Sequence, residues 1–493
     1  MVCLRCCRQL DQKERRKHIL KMFELENLKK LAANVPQELA VAAGVATGAG
    51  LSVVLIAMVL SRREPEVVVR GVEDPVGTQN GLKRFFVSWM VWVAQKKEMS
   101  KSTRASNEAL ESWHKPENHA FFNESYYFNG CDVATRDRFI TRISHRSYMG
   151  SRSYVFLLID SKEHGYLALE EDVAAENSSY PTAMGLVYKC EIPMKRWHIK
   201  YSGPMRRGCV HPRNYDALAK CERVHVDLEL TYETDTPVFW YMRDDHPLCL
   251  QGNLAQETWG MDFLRVCVKR TVDHAHYEDF GRAKGTISVN KSKPQLYNFG
   301  TFRDHSWDIR RWATMDKLNI LLIALETPLR LYKNHEYWYL DLTIVGMPGN
   351  VGGVARYSTG YALGLDGKGP KLPMTTGSSI RDFDFLVGPS GAPGLAPERR
   401  PSPVSEVVMR VTLHPRDVPR GETAPEPRLI KIIMKGDDRR LIYWPDQGAF
   451  VCYEDCPSFE IIDMATGEKS TGYGTRQSGF RVGEFDPTLG GCG

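Results

Sequence analysis

The sequence predicts a mainly β protein whose body is preceded by a single transmembrane α-helix. Two observations lead to this fold class. From about residue 120 onwards, short runs rich in Val, Ile, Tyr and Trp alternate with turn signals, and helical patterns are few. Before them, Leu39–Ser61 contains no charged residue. Repeated strands with few helices favour barrels or sandwiches over a doubly wound sheet.

Length, charge and cysteine content limit the class of protein. At 493 residues the chain is long enough for two ordinary domains and a tail. The net charge of +5 is spread along the sequence, so no nucleic-acid partner is predicted. The twelve cysteines form no dense framework, which favours free thiols in a reducing compartment. Three glycosylation sequons, at Asn123, Asn177 and Asn290, would suit a lumenal compartment, although such sequons also arise by chance.

The uncharged run is long enough to cross a bilayer. At about 1.5 Å of helical rise per residue, Leu39–Ser61 extends roughly 35 Å, which exceeds the thickness of a hydrocarbon core. It follows a basic helical segment, residues 1–38, and lies too far from the start for a signal peptide. We therefore predict a single-pass membrane protein with its transmembrane helix at residues 39–61.

The flanks and composition of this span bear on orientation and pairing. Arg62 and Arg63 follow it directly, so the positive-inside rule favours a cytoplasmic location for the β domains. Gly44 and Gly48 form a small-xxx-small face that would let two helices approach closely and form a homodimer. Glycine is common in membrane helices generally, so its abundance is the alternative explanation of this spacing.

Residues 62–114 form a linker that contains an aromatic run, Phe85–Ala94. Basic residues flank this run on both sides, and they are Lys83, Arg84, Lys96 and Lys97. The run is too short to span a bilayer as a helix. Aromatic side chains between basic flanks are typical of a helix at the membrane interface, and a helix docked on the first globular domain is the alternative.

The body of the chain is predicted to consist of short strands. These runs are Arg138–Ser144, Ser153–Ile159, Gly185–Ile192, Trp197–Ser202, Val224–Thr231, Met261–Lys269, Gly285–Val289, Gln295–Phe299, Leu318–Leu325, Trp338–Val345, Gly352–Tyr357, Ser405–Leu413, Leu429–Met434, Arg440–Trp444, Ala449–Tyr453 and Phe459–Asp463. They alternate with turn sequences of the kind that connect antiparallel strands.

The segment Asn298–Trp312 concentrates charge and indole between strand-like neighbours. Alternation along an extended strand places Arg303, His305 and Trp307 on one face and Asp304 on the other. If the first face lines a barrel, an imidazole, a guanidinium and an indole share an apolar cavity, which would suit a ligand or acid–base site. The alternative is a structural polar cluster, in which ion pairs across the sheet stabilise a corner of the strand.

The same segment carries a resemblance to a known family. Gly300–Trp307, which reads GTFRDHSW and is followed by Trp312, resembles the signature of the lipocalin-like family that includes carotenoid hydratases and fungal Diels–Alderases. Three further segments are similar to uncharacterised animal proteins labelled phosphoenolpyruvate synthase-like, and they are Pro193–Trp197, His276–Thr286 and Ile287–Tyr297. The resemblance covers roughly residues 115–483.

The resemblance implies two consecutive lipocalin-like antiparallel β-barrels, with the motif opening the second. The first barrel would comprise residues 115–283 and the second residues 284–483, with a Pro/Gly-rich loop at 387–404. Residues 484–493 would form a disordered tail. In the enzymatic relatives a ligand pocket lies near the interface of the barrels.

Carried over to this sequence, the resemblance makes His305 and Trp307 the candidate ligand-binding residues. Arg303 and Asp304 would support them, and Arg303 and Trp312 are further candidate ligand-binding residues. The sequence also departs from the family pattern, because Asp308 and Arg311 stand where relatives have Gly and Asp. Near the end, Thr475–Arg476 replaces an acidic residue, which weakens the case for retained acid–base chemistry.

Other candidate catalytic and metal-binding motifs in the sequence are better explained by structure than by function. Phosphoenolpyruvate synthase chemistry needs a nucleotide-grasping domain and a phosphohistidine domain, and Met347–Gly353 fits a hairpin turn better than a phosphate-binding loop. In Asp273–His276, alternate residues of a strand face one way and could offer two metal ligands. No third ligand has a defined spacing to them, so a solvated strand edge is favoured. His246 follows two Asp residues, and surface charge explains it. Cys452 and Cys456 do not fit CxxC redox chemistry. No cofactor and no metal site are predicted.

Three functional hypotheses remain. The first is a membrane-anchored protein that binds a small apolar ligand, such as a lipid or isoprenoid, without turnover. The second is an enzyme that hydrates, isomerises or cyclises an apolar substrate, with His305 as acid or base and Asp304 or another carboxylate orienting it. The third is a non-catalytic scaffold. The enclosure of His305, with or without a carboxylate in reach, discriminates among them.

Overall fold

The structure is a computed structural model. It describes residues 81–114, 122–132, 134–147, 152–176, 180–208, 221–254, 275–309, 317–346, 356–366, 368–376, 406–436, 441–446 and 450–481. The predicted membrane span, the loop at 387–404, the tail at 484–493, the predicted strand Met261–Lys269 and Trp312 lie outside these residues. Among the described residues, no helix is long and apolar enough to cross a membrane.

The described chain contains three α-helices, one 3₁₀ helix and 21 strands. The helices are α1 (Gly81–Arg104), α2 (Asn107–Leu110), α3 (Pro247–Leu254) and the 3₁₀ helix Pro415–Asp417. The strands of the first half are β1 (Phe122–Asp132), β2 (Arg138–Arg146), β3 (Arg152–Ser161), β4 (Gly165–Ala174), β5 (Thr182–Ala183), β6 (Leu186–Ile192), β7 (Arg196–Arg207), β8 (Glu222–Thr234), β9 (Phe239–Trp240), β10 (Ala275–Val289) and β11 (Gln295–Ile309). Those of the second half are β12 (Lys317–Tyr332), β13 (His335–Gly346), β14 (Arg356–Leu363), β15 (Leu372–Thr376), β16 (Glu406–Val411), β17 (Arg428–Lys435), β18 (Leu441–Asp446), β19 (Phe450–Asp455), β20 (Ser458–Asp463) and β21 (Lys469–Arg481).

The first sheet closes into an eight-stranded antiparallel barrel. Its strand order is β4-β3-β2-β1-β11-β10-β8-β7, and β7 pairs back with β4. Strands β6 and β5 extend the sheet beyond β7, and β9 pairs with β10. Large side chains fill the interior, among them Phe128, Phe139, Trp197 and Tyr232. The barrel agrees with the mainly β, lipocalin-like fold that the sequence predicts.

The second sheet contains the remaining ten strands. Its order is β12-β13-β14-β15-β16-β17-β20-β21, and β21 also pairs with β12, so the path of pairings returns to its start. Strands β19 and β18 extend from β21. The core of this sheet is aliphatic, with Ile323, Leu340, Met409 and Ile432 fully buried.

The chain passes from one sheet to the other between Ile309 and Lys317. Strand β11, which carries the motif, pairs with β1 on one side and with β10 on the other. The motif strand therefore completes the first sheet, whereas the sequence analysis placed it at the start of the second. The reason is that β1 and β11 pair although they are far apart in sequence. A local sequence pattern carries no information about such a pairing.

The two sheets share an apolar interface. Tyr127, Phe280 and Phe302 of the first sheet pack in one cluster with Leu322 and Tyr473 of the second. A void of about 20 Å³ lies among these residues, which is room for a single water molecule. This part of the interface is therefore filled by side chains.

Most of the predicted strands are confirmed, and two of the missed ones, β1 and β21, lack the pattern of a half-buried strand. In β1 every one of the eleven residues is buried, including Asn123 and Glu124, so the strand shows no alternation of polar and apolar positions. Strand β21 is rich in Gly and polar residues, yet it pairs with three neighbours. A side chain at Gly474 would collide with the backbone oxygen of Leu322 in one of them.

Helix α1 is docked on the folded chain, as one of the two alternatives predicted. Val87 and Val91 are buried, and Gln95 Nε2 donates to the carbonyl oxygens of Met242 and Asp245 at 3.0 and 2.8 Å. One face of the helix thus contacts the loop between β9 and α3. The opposite face exposes large aromatic side chains at helical spacing, with exposed fractions of 67% for Phe85, 56% for Trp89 and 57% for Trp92.

Two histidines cap short helices where the sheets meet. His246 Nδ1 accepts from the N–H of Leu248 at 3.2 Å, and His414 Nδ1 accepts from the N–H of Arg416 at 3.1 Å. The rings lie 6.2 Å apart, and each histidine precedes a proline. Burial lowers the pKa of each to about 4. The expectation that His246 is a surface residue was wrong, because the loop folds back beneath α1 and the second sheet.

The predicted sequons differ in accessibility. Asn123 is buried in β1, which prevents glycosylation of the folded protein at this position. Asn290 is exposed in the turn between β10 and β11, where its Oδ1 accepts from the N–H of His225 at 2.9 Å. Asn177 lies outside the described residues.

Candidate functional site

Strand β11 presents its motif residues alternately to two different surroundings. Arg303, His305 and Trp307 point into the end of the first barrel, and all three are buried. Asp304 points to the opposite side, towards the second sheet. The alternation predicted from the sequence thus holds, and His305 lies between Tyr126 of β1 and Tyr277 of β10 in the strand pairing.

A short segment before the first strand closes this end of the barrel. It comprises Ser106–His114 and begins with α2, whose N-terminus is capped by the Ser106 side chain accepting from the N–H of Ala109 at 3.2 Å. Its carbonyl oxygens accept from two barrel hydroxyls: Tyr277 donates to Leu110 at 2.7 Å, and Tyr126 donates to Glu111 at 3.1 Å. We call Ser106–His114 the plug.

Arg303 is held between two buried carboxylates. Its Nη1 donates to both oxygens of Glu111, at 2.7 and 2.9 Å, and its Nε donates to Asp279 at 2.9 Å. Tyr232 also donates to Asp279. Burial acts to raise the pKa of Glu111, but the Arg303 charge and the His305 ring outweigh it and hold that pKa below its ordinary value. This charge-assisted contact links the plug to β11.

His305 is enclosed by groups that accept hydrogen bonds. Its Nε2 lies 3.0 Å from Glu124 Oε1, and its Nδ1 lies 2.6 Å from the Tyr277 hydroxyl. Glu111 Oε2 is 3.7 Å from the same Nδ1. The ring stacks on Tyr126 at 3.7 Å. Burial acts to lower the pKa of His305, but its contacts with Glu111 and Glu124 outweigh burial and raise it.

A second histidine from the plug approaches the same carboxylate. His114 Nδ1 lies 2.8 Å from Glu124 Oε1, and the backbone N–H of His114 donates to Glu124 Oε2 at 2.8 Å. The His114 ring stacks on Trp307 at 3.6 Å between centroids. Glu124 therefore accepts from the plug and from β11 at once. Burial acts to raise its pKa, but the hydrogen bonds from His114 and His305 hold it below the ordinary value.

The sequence pattern indicated the β11 residues of this cluster but not their partners. Glu111, His114, Glu124 and Asp279 come from the plug, β1 and β10. Glu124 was hidden because β1 was not recognised as a strand. Glu111 and His114 lie in a segment assigned to the linker, where charge carries no periodic signal. His305 does have carboxylates within hydrogen-bond reach, and they are Glu111 and Glu124 instead of Asp304.

The other face of β11 carries a separate polar cluster. His276 Nε2 lies 3.0 Å from Glu278 Oε1 and 3.3 Å from Asp304 Oδ2. Burial acts to lower the pKa of His276, but the two carboxylates outweigh it and raise that pKa to about 10. Sequence analysis considered Asp273–His276 as a ligand pair without a third member; the structure supplies Glu278 and Asp304 beside His276.

Tyrosine hydroxyls and a second acid from the other sheet complete this cluster. Tyr241 and Tyr361 donate to Glu278 Oε2 at 2.8 and 2.6 Å. The Tyr241 hydroxyl also lies 3.3 Å from Asp341 Oδ1. Burial and the nearby Glu278 charge raise the pKa of Asp341 well above its ordinary value. The Tyr241 hydroxyl has one proton, which it donates to Glu278. A protonated Asp341 can in turn donate to the Tyr241 oxygen, so both acids form a hydrogen bond with the same hydroxyl.

The second sheet has a pocket at one end of its core. The pocket has a volume of about 240 Å³, and its apolar wall includes Leu331, Leu372, Val411 and Leu413. The segment that follows the 3₁₀ helix covers it; the other lining residues are Tyr332, Lys333, Thr412, Pro419, Glu422, Thr423, Pro425, Glu426 and Arg428. Apolar walls with a few polar groups at the mouth of a β-sheet core are typical of small-molecule sites.

Comparisons with known proteins find one family model and distant similarities to solved structures. A family model described as a domain of unknown function (DUF7064) matches residues 107–333, a span that contains the plug and β11. A crystal structure from Nitrosomonas europaea, described as a candidate AttH, aligns with 11% identity over 75% of this chain and 98% of that chain, at a TM-score of 0.41. The crystal structure of CghA aligns with 6% identity over 74% and 89% of the two chains, at a TM-score of 0.38.

No curated protein matches the sequence at a significant level. Similarities as distant as those to the two solved structures do not carry a function to this chain. The resemblance to animal phosphoenolpyruvate synthase-like proteins stays a prediction.

Proposed function

We propose that the protein is a membrane-anchored binding protein for a small apolar ligand. The pocket of about 240 Å³ in the second sheet carries this proposal. Its four aliphatic wall residues are all at most 5% exposed, so a ligand that entered would meet the apolar core directly. By contrast, the barrel end around His305 is filled by the plug and leaves the motif side chains in contact with the protein alone.

The size and rim of the pocket limit the ligand. Its volume equals that of about eight liquid water molecules, at roughly 30 Å³ each, so it suits a small molecule or the end of a longer chain. Lys333 Nζ lies 3.0 Å from Glu422 at the rim, and Arg428 Nη1 lies 2.7 Å from Asp463. The Lys333–Glu422 pair is half exposed and weak, so a polar ligand head could exchange with Glu422.

Two features support a location at a membrane. The sequence contains the uncharged run Leu39–Ser61, which we propose as a single-pass anchor with the sheets on the cytoplasmic side. The exposed stripe of Phe85, Trp89 and Trp92 on α1 suits the headgroup region, where aromatic rings are enriched. Both features would keep the pocket close to a source of lipid or isoprenoid ligands.

Native mass spectrometry of the full-length protein, extracted gently from membranes, tests the binding proposal. We expect a discrete apolar adduct that is released on lipid extraction. Thr423→Trp, which places an indole at the exposed side of the pocket, should reduce the adduct at least tenfold. Thr466→Trp is the matched control, because Thr466 is equally exposed in a turn away from the pocket. An empty parent protein, or an adduct unaffected by Thr423→Trp, would refute this pocket and leave the scaffold hypothesis.

An enzyme remains the second candidate because of one observation. His305 lies between two glutamates and a tyrosine hydroxyl, which is a suitable set for proton transfer. Substrate could reach the ring only if the plug moved. Turnover of an apolar alkene or polyene that is abolished by His305→Gln and unaffected by Thr423→Trp would favour this candidate over pocket binding.

A spectroscopic experiment tests the membrane contact of α1. In proteoliposomes, lipids brominated near the headgroup should quench part of the tryptophan fluorescence. The Trp89→Phe/Trp92→Phe variant should lose most of this quenching, because both indoles lie on the exposed stripe. Equal quenching in parent and variant would place the stripe away from the bilayer.

A further inference from the structure

Three metal-ligating side chains converge at the plugged end of the first barrel, and pocket binding uses none of them. His114 Nδ1, His305 Nε2 and a Glu124 carboxylate oxygen all lie within 4.8 Å of one another. Glu124 Oε1 is 2.8 Å from the first nitrogen and 3.0 Å from the second. We propose that these residues form a binding site for a divalent transition-metal ion of the zinc class.

The donor set suits such an ion. Two imidazoles and one carboxylate are the protein ligands of several zinc sites that keep a fourth position for water, and the same set can bind ferrous iron. Magnesium and calcium prefer oxygen ligands throughout, so they fit less well. The ligands also come from three separate segments: the plug, β1 and β11. An ion at this position would tie the plug to the barrel.

Groups behind the ligands hold His305 in the orientation that metal binding needs. The Tyr277 hydroxyl donates its proton to the carbonyl oxygen of Leu110 at 2.7 Å, because a carbonyl can only accept. The Tyr277 oxygen is therefore free to accept from His305 Nδ1–H at 2.6 Å. With its proton on Nδ1, a neutral His305 directs the lone pair of Nε2 towards Glu124. Such outer hydrogen bonds accompany most metal-bound histidines.

Neighbouring groups also hold His114 and Glu124 in position, and the partly exposed His114 gives an ion access to the site. The backbone N–H of His114 occupies Glu124 Oε2, which leaves Oε1 facing the two imidazoles. Stacking on Trp307 fixes the plane of the His114 ring. The side chain of His114 is 20% exposed, whereas His305 and Glu124 are fully buried, so an ion would enter from the His114 side.

The charge of the cluster has a deficit that a divalent ion matches. Glu111, Glu124 and Asp279 carry three negative charges when ionised, and Arg303 carries one positive charge, which leaves a sum of −2. One divalent ion bound by the two imidazoles and Glu124 would balance this sum.

The cluster on the opposite face of β11 is the less suitable alternative. His276, Glu278 and Asp304 also lie within 4.8 Å of one another, but they offer a single nitrogen donor. Glu278 is already engaged by Tyr241 and Tyr361. This second cluster serves as an internal control, because its loss should leave zinc binding unchanged.

Zinc titration of the full-length protein in detergent tests the proposal. After chelator treatment and dialysis, the parent should bind one equivalent of Zn²⁺ in competition with a chromophoric chelator. His114→Ala should weaken binding at least 100-fold. Tyr277→Phe should weaken it roughly 10–100-fold through the lost outer hydrogen bond. His276→Ala should bind as the parent does.

The matched control is His198→Ala. His198 pairs with Glu191 at 3.0 Å on the outside of the barrel, so this variant removes a histidine–glutamate contact without touching the proposed ligands. Near-ultraviolet circular dichroism would verify that each variant is folded; His114→Ala is decisive because His114 is partly exposed. A parent that binds no zinc at micromolar concentration, an unchanged affinity in His114→Ala, or a loss in His276→Ala would each overturn the assignment.

Discussion

Two pairs of histidines in this protein lie in opposite hydrogen-bonding environments. His305 and His114 each direct a ring nitrogen at the Glu124 carboxylate, which accepts protons. His246 and His414 each direct Nδ1 at a backbone N–H, which donates one. The pKa of His305 is accordingly raised, whereas the pKa of His246 and of His414 falls to about 4.

The difference shows that a carboxylate partner can outweigh burial in setting the charge of a histidine. His305, His246 and His414 are all less than 10% exposed. At His305 the two glutamates outweigh burial and raise the pKa. At His246 and His414 burial lowers the pKa, and protonation would also remove a helix cap. The two pairs should therefore respond differently to substitution and to acid.

The largest effect is expected when the shared carboxylate is removed. Glu124→Gln leaves His305 and His114 without their common anionic partner, and breaking a buried ion pair costs about 3–5 kcal/mol. Guanidinium unfolding in the presence of a chelator would measure the loss in free energy of unfolding. Glu191→Gln is the matched control: its partner His198 is on the outside of the barrel, so we expect a change within about 1 kcal/mol. Equal losses of unfolding free energy in Glu124→Gln and Glu191→Gln would show that the buried carboxylate contributes no more than the outer one.

The next effect concerns acid. An unfolded histidine has a pKa of about 6.5, and the folded values for His246 and His414 are about 4. Below pH 6.5 the unfolded state binds more protons than the native state, so the free energy of unfolding falls as the pH falls from 6.5 to 4. Linkage gives roughly 3 kcal/mol for each of the two histidines over this range. Urea unfolding at several pH values should show this slope, and His246→Asn/His414→Asn should flatten it.

The smallest effect is expected for a substitution that preserves a cap. At pH 7, His414→Asn should change the free energy of unfolding by less than about 1 kcal/mol, because the Asn side chain can accept from the N–H of Arg416. His414→Ala should lose about 0.5–2 kcal/mol more, since the cap is then absent. Thermal unfolding of the two variants side by side would rank them. An Asn variant as unstable as the Ala variant would show that capping is not the role of His414.

The sequence predicted what depends on local pattern and missed what depends on distant pairing. The alternation around His305 sufficed to assign Arg303, His305 and Trp307 to one face of a strand. It could not supply Glu124, because β1 is covered on both faces and carries polar residues that interrupt any apolar run. Sequence likewise gave no sign of the plug: Glu111 and His114 matter only because Arg303 and Glu124 lie opposite them.

His246 illustrates the same limit in the other direction. Its neighbours Asp244 and Asp245 suggested an exposed loop, yet both carboxylates are buried and bonded. Asp244 receives hydrogen bonds from Lys371 at 2.6 Å and from Arg416. The partners come from the second sheet, more than a hundred residues away in sequence. The charges of Asp244 and Asp245 therefore suggested exposure to solvent, whereas in the folded protein Asp244 is buried against Lys371 and Arg416.

The pairing of β1 with β11 also determines when the first barrel can close during translation. Tyr126 lies opposite His305, so the barrel cannot close until about 180 further residues have been made. At roughly 5–20 residues per second, the first strand waits some 10–40 s with one hydrogen-bonding edge unpaired. An edge of this kind is prone to wrong partners. Ribosome-bound chains ending before residue 295 should accordingly depend on chaperones, and chains extending beyond residue 309 from the exit tunnel should not.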